Sequence, residues 1–227
     1  MSKHLHNEIE KLKRRLLTIG SNVIDAIQKA LFALEERRAD VAAEVMEGDK
    51  KIDAAEVELE EDCLKLLALY QPVAEDLRFI AAVMKINNDL ERMGDEAVNI
   101  AEHASFLAHK LPPPVPLQLN AMTTAALRMV RESLDAFVEG NPEAARRVCA
   151  EDDEVDRLNQ EIINAVWIMM REDPEMVERA THLFSVSRHL ERIADHATNV
   201  AEDVVYMVEG KIIRHHFSEY ATPPEND

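Results

Sequence analysis

The chain has 227 residues, of which 26 are Lys or Arg and 44 are Asp or Glu, so its formal net charge is −18 at pH 7. Apolar residues make up 47% and are spread between the charges, which predicts a folded core rather than a disordered acidic tail. Five glycines and the absence of a G-x-G-x-x-G or P-loop motif leave little room for a phosphate-cradling loop, and the acidic balance argues against nucleic acid as the main partner.

Apolar residues recur along the chain in alternating steps of three and four. This spacing places them on one face of a helix, as helical bundles require. The pattern is broken five times and resumes each time. It predicts an all-α protein with six long helices, whose apolar stripes cover residues 9–33, 52–70, 79–107, 119–136, 148–169 and 183–207.

The breaks carry ordinary helix-boundary residues. Arg38-Ala39-Asp40 offers an N-cap for the second helix. Gln71-Pro72 is expected to end that helix, because a residue before proline avoids the helical region. Asn141-Pro142 suits a helix start, and Asp173-Pro174 marks the next boundary. Four prolines within 112–116 predict an extended linker.

The two halves of the chain are copies of each other. Residues 90–95, Leu-Glu-Arg-Met-Gly-Asp, match residues 190–195, Leu-Glu-Arg-Ile-Ala-Asp, at an offset of 190 − 90 = 100. Three helices in each copy predict two three-helix bundles, each burying its own core. The predicted parts are a first bundle at 1–110, a linker at 111–116, a second bundle at 117–213 and a flexible tail at 214–227.

No stretch of the sequence is apolar for long enough to span a membrane, which takes about 20 residues. Residues 1–6 lack the apolar segment of a secretory signal. Cys63 and Cys149 lie among apolar neighbours and are interpreted as buried free thiols. These features predict a cytoplasmic protein with no membrane span.

Pairs of acidic residues four positions apart recur in both halves. Residues i and i+4 lie on nearly the same helix face. Such pairs are often no more than solvent-exposed charges, but like charges at this spacing weaken a helix. Four carboxylates between two helices repel one another unless they are protonated or bridged by a cation. The predicted metal ligands are Asp49, Asp53, Glu91 and Asp95 in the first bundle and Asp152, Asp156, Glu191 and Asp195 in the second; secondary candidates are Asn99, Glu102, Asn199, Glu202 and His196.

These donors are almost all oxygen atoms, which favours magnesium, calcium, manganese or oxidised iron over structural zinc. No Glu is followed three residues later by His, so a ferritin-like di-iron centre is not expected. No nucleophile elbow or Ser/His/Asp motif is present. Because a metal–carboxylate cluster can activate water, a metal-dependent phosphohydrolase stays open as an alternative.

The segments 71–78, 85–102 and 188–202 resemble the sequence motif of the PhoU family, and the likeness extends over nearly the whole chain. This resemblance implies two three-helix bundles with metal clusters on their acidic faces. It also implies a homodimeric, cytoplasmic regulator of phosphate uptake. Such a protein couples the ATPase subunit of a phosphate ABC transporter to a membrane sensor histidine kinase and represses the phosphate-starvation response.

Two features depart from the family pattern. Glu96 stands where the family often has His, as His196 does in the second copy, and Asp76-Leu77-Arg78 has no clear second copy. The two clusters are therefore expected to differ in ligands and in metal number. An accessory role for a low-affinity phosphate permease is a further alternative.

Overall fold

The computed structural model describes residues 3–112, 114, 116 and 118–213. Within that part of the chain it contains six α-helices, one short 3-10 turn and no β-strand. The all-α prediction is therefore confirmed. The helices are α1 (Lys3–Glu35), α2 (Ala39–Tyr70), α3 (Ala74–Ala108), α4 (Gln118–Glu139), α5 (Pro142–Glu172) and α6 (Val177–Glu209), with the 3-10 turn at Pro174–Met176.

Most of the predicted helix boundaries are confirmed. Helix α2 ends at Tyr70, followed by Gln71 with a positive φ of 46°. Asn141 is the N-cap of α5, and its side chain accepts a hydrogen bond from the amide of Ala144 at 3.0 Å. The N-cap of α2 is Arg38, within the predicted segment Arg38-Ala39-Asp40, but its side chain makes no capping hydrogen bond. Asp40 lies in the first turn of α2, where its carboxylate binds the guanidinium of Arg38.

Helices α1, α2 and α3 pack together as one bundle, and α4, α5 and α6 as a second. The two bundles meet chiefly where α3 packs against α6, a contact as extensive as those within each bundle. The two helices are antiparallel, because Lys85 contacts Asp203 whereas His103 contacts His182. We call this α3–α6 contact the seam.

The buried apolar side chains of both bundles form one continuous core. The expectation that each bundle buries a core of its own is therefore wrong, because the facing stripes of α3 and α6 join the two. Leu90 and Leu190, at matching positions of the repeat, are both fully buried. Cys63 and Cys149 are buried free thiols, as predicted, and burial raises the pKa of each to about 12.

The described residues of the linker, Leu111, Pro112, Pro114 and Pro116, adopt no regular secondary structure, consistent with the proline content. The predicted flexible tail, 214–227, lies outside the described residues.

Candidate metal centres

The first acidic cluster lies between α2 and α3. Asp49 and Asp53 come from α2, and Glu91 and Asp95 come from α3. Burial, followed by the charges of Asp53 and Asp95, raises the pKa of Asp49 to about 6. Burial and the charge of Asp95 likewise raise the pKa of Glu91, although Arg92 opposes the shift. The structure thus brings all four predicted residues close enough to repel one another.

Two oxygens of this cluster are buried without a hydrogen-bond partner. They are Oδ1 of Asp49 and Oε2 of Glu91. Gly94 lies beside the first of them: a Cβ at that position would be 3.4 Å from Asp49 Oδ1. Glu91 Oε2 does lie 3.4 Å from Arg92 Nε, in an ion pair without a hydrogen bond. A buried carboxylate oxygen that lacks a hydrogen-bond donor is costly, so Asp49 Oδ1 above all favours a proton or a cation.

The second cluster repeats this arrangement between α5 and α6. Burial, followed by the charges of Asp195 and Asp156, raises the pKa of Asp152 to about 7. The pKa of Asp195 is raised by burial and by Asp156. Burial also raises the pKa of Glu191, against the opposing charge of Arg188, and Glu191 Oε2 is buried without a partner. The four predicted residues of the second copy are therefore also brought together.

The chemistry of these donors fits a hard cation, because carboxylate oxygens that repel each other are the ligands such ions prefer. Within the described ranges, however, no group of three or more His, Cys, Asp or Glu side chains is already arranged to hold an ion. The carboxylates of each cluster would have to rotate toward one another to ligate a metal.

The secondary candidates lie in different places. Glu102 is exposed, and the charge of Glu202 contributes to the raised pKa of the Cys149 thiol, which places it on the α5 side of α6. Asn99 donates to Glu96 Oε2 at 3.4 Å. His196 and Asn199 both turn to Asp89 of α3: the distances to its Oδ1 are 2.8 Å from His196 Nδ1 and 3.1 Å from Asn199 Nδ2. The structure therefore places His196 and Asn199 in the seam.

A second polar group, which the acidic motifs do not predict, lies in the seam around Glu96. This carboxylate is almost fully buried and lies 2.6 Å from His189 Nδ1 and 3.0 Å from Arg192 Nη1. Burial opposes its ionisation, but the hydrogen bond to His189 and the charges of His189 and Arg192 hold the pKa of Glu96 below its usual value. Lys85 and the buried Asp203 form a further ion pair across the seam, at 3.0 Å.

The repeat contained a signal for this pairing. Position 89 is Asp where position 189 is His, and position 96 is Glu where position 196 is His. Both acids therefore lie on α3 and both histidines on α6, and the antiparallel packing brings Asp89 to His196 and Glu96 to His189.

None of the helices in the described ranges combines the length and the apolar character that a membrane crossing requires. Fold and sites together define a class: a duplicated, all-helical protein with an acidic cluster between the second and third helices of each copy.

Comparisons with known proteins agree with this class. A family profile described as the PhoU domain matches residues 16–104 and again residues 119–204. A phosphate-specific transport system accessory protein PhoU homolog from Aquifex aeolicus is 43% identical over 211 residues, covering 93% of this chain and 96% of the relative. Its counterpart from Clostridium acetobutylicum is 37% identical over 210 residues, covering 92% and 96%.

Solved structures give the same result. The crystal structure of PhoU from Pseudomonas aeruginosa matches with a TM-score of 0.88 at 35% identity, covering 91% of this chain and 99% of that one. The phosphate transport system regulatory protein PhoU from Streptococcus pneumoniae matches with a TM-score of 0.85 at 30% identity, covering 92% and 98%. The chain belongs to the PhoU family.

Proposed function

We propose that this protein is a metal-binding regulator of phosphate uptake that acts together with a phosphate transport system. The main support for this proposal is that relatives matching over more than nine-tenths of the chain are named accessory proteins of phosphate-specific transport. The S. pneumoniae relative is named a regulatory protein of the phosphate transport system. We further propose that it regulates without a catalytic turnover of its own.

The metal part of the proposal is supported by the two acidic clusters. In each, carboxylates from two helices repel one another, and at least one oxygen is buried without a hydrogen-bond partner. A bound cation would remove that repulsion and join the two helices. The candidate ions are iron, manganese, magnesium and calcium, since all accept oxygen ligands. The four carboxylates of each cluster are the proposed ligands.

Metal content can be tested one bundle at a time. Glu91→Ala with Asp95→Ala should remove the metal of the first cluster and leave the second loaded, because the clusters share no ligand. Glu191→Ala with Asp195→Ala should do the reverse. Elemental analysis and native mass spectrometry measure the stoichiometry, with circular dichroism as the folding control. An unchanged metal content in both double variants would contradict the ligand assignment.

The regulatory part is an adaptor mechanism. The proposed partners are the ATPase subunit of a phosphate ABC transporter and a membrane sensor histidine kinase, which the protein meets at the cytoplasmic face as a homodimer. A charge of −18 favours docking on basic surfaces of such partners. The protein would shift signalling by binding one partner state more tightly than another.

A reporter fused to a phosphate-responsive promoter tests this role. Deletion of the protein should leave the phosphate-starvation genes active in high phosphate, whereas the parent strain represses them. Complementation with the wild-type chain is the control. If repression persists in a deletion strain that has no paralogue, the regulatory role fails. Phosphatase turnover by the purified, metal-loaded protein would instead favour an enzyme.

A further inference from the structure

Three histidines lie together in the seam, apart from the acidic clusters. Nδ1 of His103 on α3 is 2.8 Å from Nδ1 of His182 on α6, and the two rings meet edge to face with centroids 4.9 Å apart. The ring of His189 stacks on His103 at 5.3 Å. Phe106 stacks on His182 with a centroid distance of 3.9 Å, which fixes the orientation of that ring.

The two facing imidazoles are neutral near pH 7. Burial, followed by the charges of His182 and His189, lowers the pKa of His103 to about 4. Burial also lowers the pKa of His182; the neighbouring Glu178 and Lys110, which pair with each other at 3.0 Å, act on it in opposite directions. A neutral imidazole keeps a lone pair, and imidazole is a preferred ligand of zinc, nickel and copper.

We propose that His103 and His182 form a two-imidazole site for a borderline divalent transition metal such as Zn²⁺, which ties α3 to α6. With Zn–N bonds of about 2.0–2.1 Å, tetrahedral geometry separates two nitrogens by roughly 3.3 Å. The 2.8 Å pair therefore has to open by only about 0.5 Å. The remaining positions go to water, since no third ligand is in place within the described ranges.

His189 is not assigned as a ligand. Its Nδ1 is held by Glu96 at 2.6 Å, so this histidine belongs to the ion-pair group of the seam. The proposed site thus differs from the acidic clusters in both donor type and metal preference, and it does not depend on the function proposed above. Without a metal, the same contact is a hydrogen bond between two neutral rings.

Zinc stoichiometry of the purified chain tests the proposal. His103→Gln and His182→Gln should each lose one Zn²⁺ per chain relative to wild type, measured by titration calorimetry. His109→Gln, on the same helix but exposed, is the matched control and should keep the wild-type stoichiometry. His189→Gln should also keep it. Circular dichroism confirms that each variant is folded.

A spectroscopic probe separates this site from the oxygen clusters. Cu²⁺ bound to the wild-type chain should show imidazole nitrogen coupling by pulsed electron paramagnetic resonance, and that coupling should decrease in the His103→Gln variant but not in His109→Gln. Equal zinc stoichiometry in wild type and both seam variants would overturn the proposal, and the contact would then be a hydrogen bond only. A zinc loss in His189→Gln equal to that in His103→Gln would overturn the two-ligand assignment.

Discussion

The two acidic clusters have the same four residue types at matching repeat positions, yet their surroundings differ. In the first, Arg92 lies 3.4 Å from both Glu91 and Asp95. Its counterpart in the second copy, Arg192, turns across the seam to Glu96, and Glu191 is paired with Arg188 at 2.7 Å instead. In the second copy, therefore, the positive charge paired with the cluster glutamate comes from Arg188, on the preceding helical turn, and not from the next residue along the chain.

The two clusters also differ in how far burial and neighbouring charges raise the pKa of their first aspartate. Burial is the largest cause of the raised pKa in both clusters, but the pKa of Asp152 reaches about 7 whereas that of Asp49 reaches about 6. The duplication has therefore kept the donors and let their neighbours diverge. The donor set alone does not fix the electrostatics of a cluster, because burial comes first and the charges of Asp153 and Glu191 add to those of Asp195 and Asp156 at Asp152, whereas only Asp53 and Asp95 act on Asp49.

The largest expected effect concerns whether the two bundles are independent. Leu90→Ala and Leu190→Ala each remove a fully buried side chain at a matching position of the repeat. Each should lower the free energy of unfolding by about 2–5 kcal/mol. Because one core runs through both bundles, unfolding in urea should stay a single transition in both variants.

The control for this comparison is Leu64→Ala, at a leucine whose surface is 51% exposed. It should change the free energy of unfolding by no more than about 0.5 kcal/mol. Two separate transitions in either buried variant, followed by circular dichroism and by Trp167 fluorescence in the second bundle, would show that the bundles unfold independently.

The next effect compares the two acids of the seam. Glu96→Gln removes the charge that holds His189 and Arg192, and should cost about 1.5–3 kcal/mol, as for hydrogen bonds to charged groups. Asp89→Asn should cost less, since its side chain is 13% exposed against 3% for Glu96. Urea denaturation at pH 7 measures both, with the exposed Glu102→Gln as control. A larger loss of stability in Asp89→Asn than in Glu96→Gln would contradict this order.

Most of the fold was accessible from the sequence, because long three-and-four stripes leave few alternatives to helix. The boundaries at Gln71 and Asn141 followed from local backbone chemistry that does not depend on packing. The predicted segment Arg38-Ala39-Asp40 does hold the N-cap of α2, but the carboxylate of Asp40 lies inside the first turn and pairs with Arg38. The four acidic residues of each cluster were predictable because both members of a pair share one helix face.

The seam was not predictable in the same way. The apolar stripes of α3 and α6 indicate that one face of each helix is buried. They do not indicate that these two faces pack against each other. His196 contacts Asp89 across the seam, and its charge also acts on Asp195 of the acidic cluster, where it lowers the pKa against burial and Asp156. Comparison of the two copies shows acids at 89 and 96 where the second copy has histidines. Pairing Asp89 with His196, however, also needs the antiparallel register of two helices about 100 residues apart, which that comparison does not supply. The separate-core expectation failed for the same reason.

The third prediction uses pH to distinguish the clusters in metal-free protein. Asp49 and Asp152 have folded pKa values of about 6 and about 7, both raised from 3.8. Between 3.8 and those values the folded state binds more protons than the unfolded state, so the stability that these groups contribute is present at low pH and is lost as the pH rises. Asp152→Asn should flatten the fall in stability between pH 4 and 8 more than Asp49→Asn does.

Urea midpoints measured with a chelator present, at intervals across that pH range, give the two slopes. Asp135→Asn is the control for the second bundle, because Asp135 is exposed on α4 and its charge is not among those that raise the pKa of Asp152. A steeper fall in Asp152→Asn than in the wild type, or a larger flattening in Asp49→Asn, would contradict the order of the two pKa values.

The smallest expected effect tests how closely the helices approach beside each cluster. Position 94 is Gly in the first copy, and the matching position 194 is a fully buried Ala. Replacing a glycine inside a helix with alanine gains about 0.5–1 kcal/mol of stability. Gly48→Ala should show that gain undiminished, because a Cβ there would have no atom within 4 Å. Gly94→Ala should gain less, since its methyl group would lie 3.4 Å from Asp49 Oδ1 and 3.6 Å from Ile52, and would shield an oxygen that already lacks a partner.

The reciprocal Ala194→Gly should cost about 0.5–1 kcal/mol. Urea denaturation of the three variants measures the differences, and a loss of more than about 1 kcal/mol in Gly94→Ala would mean that α2 and α3 need the glycine for contact, unlike α5 and α6.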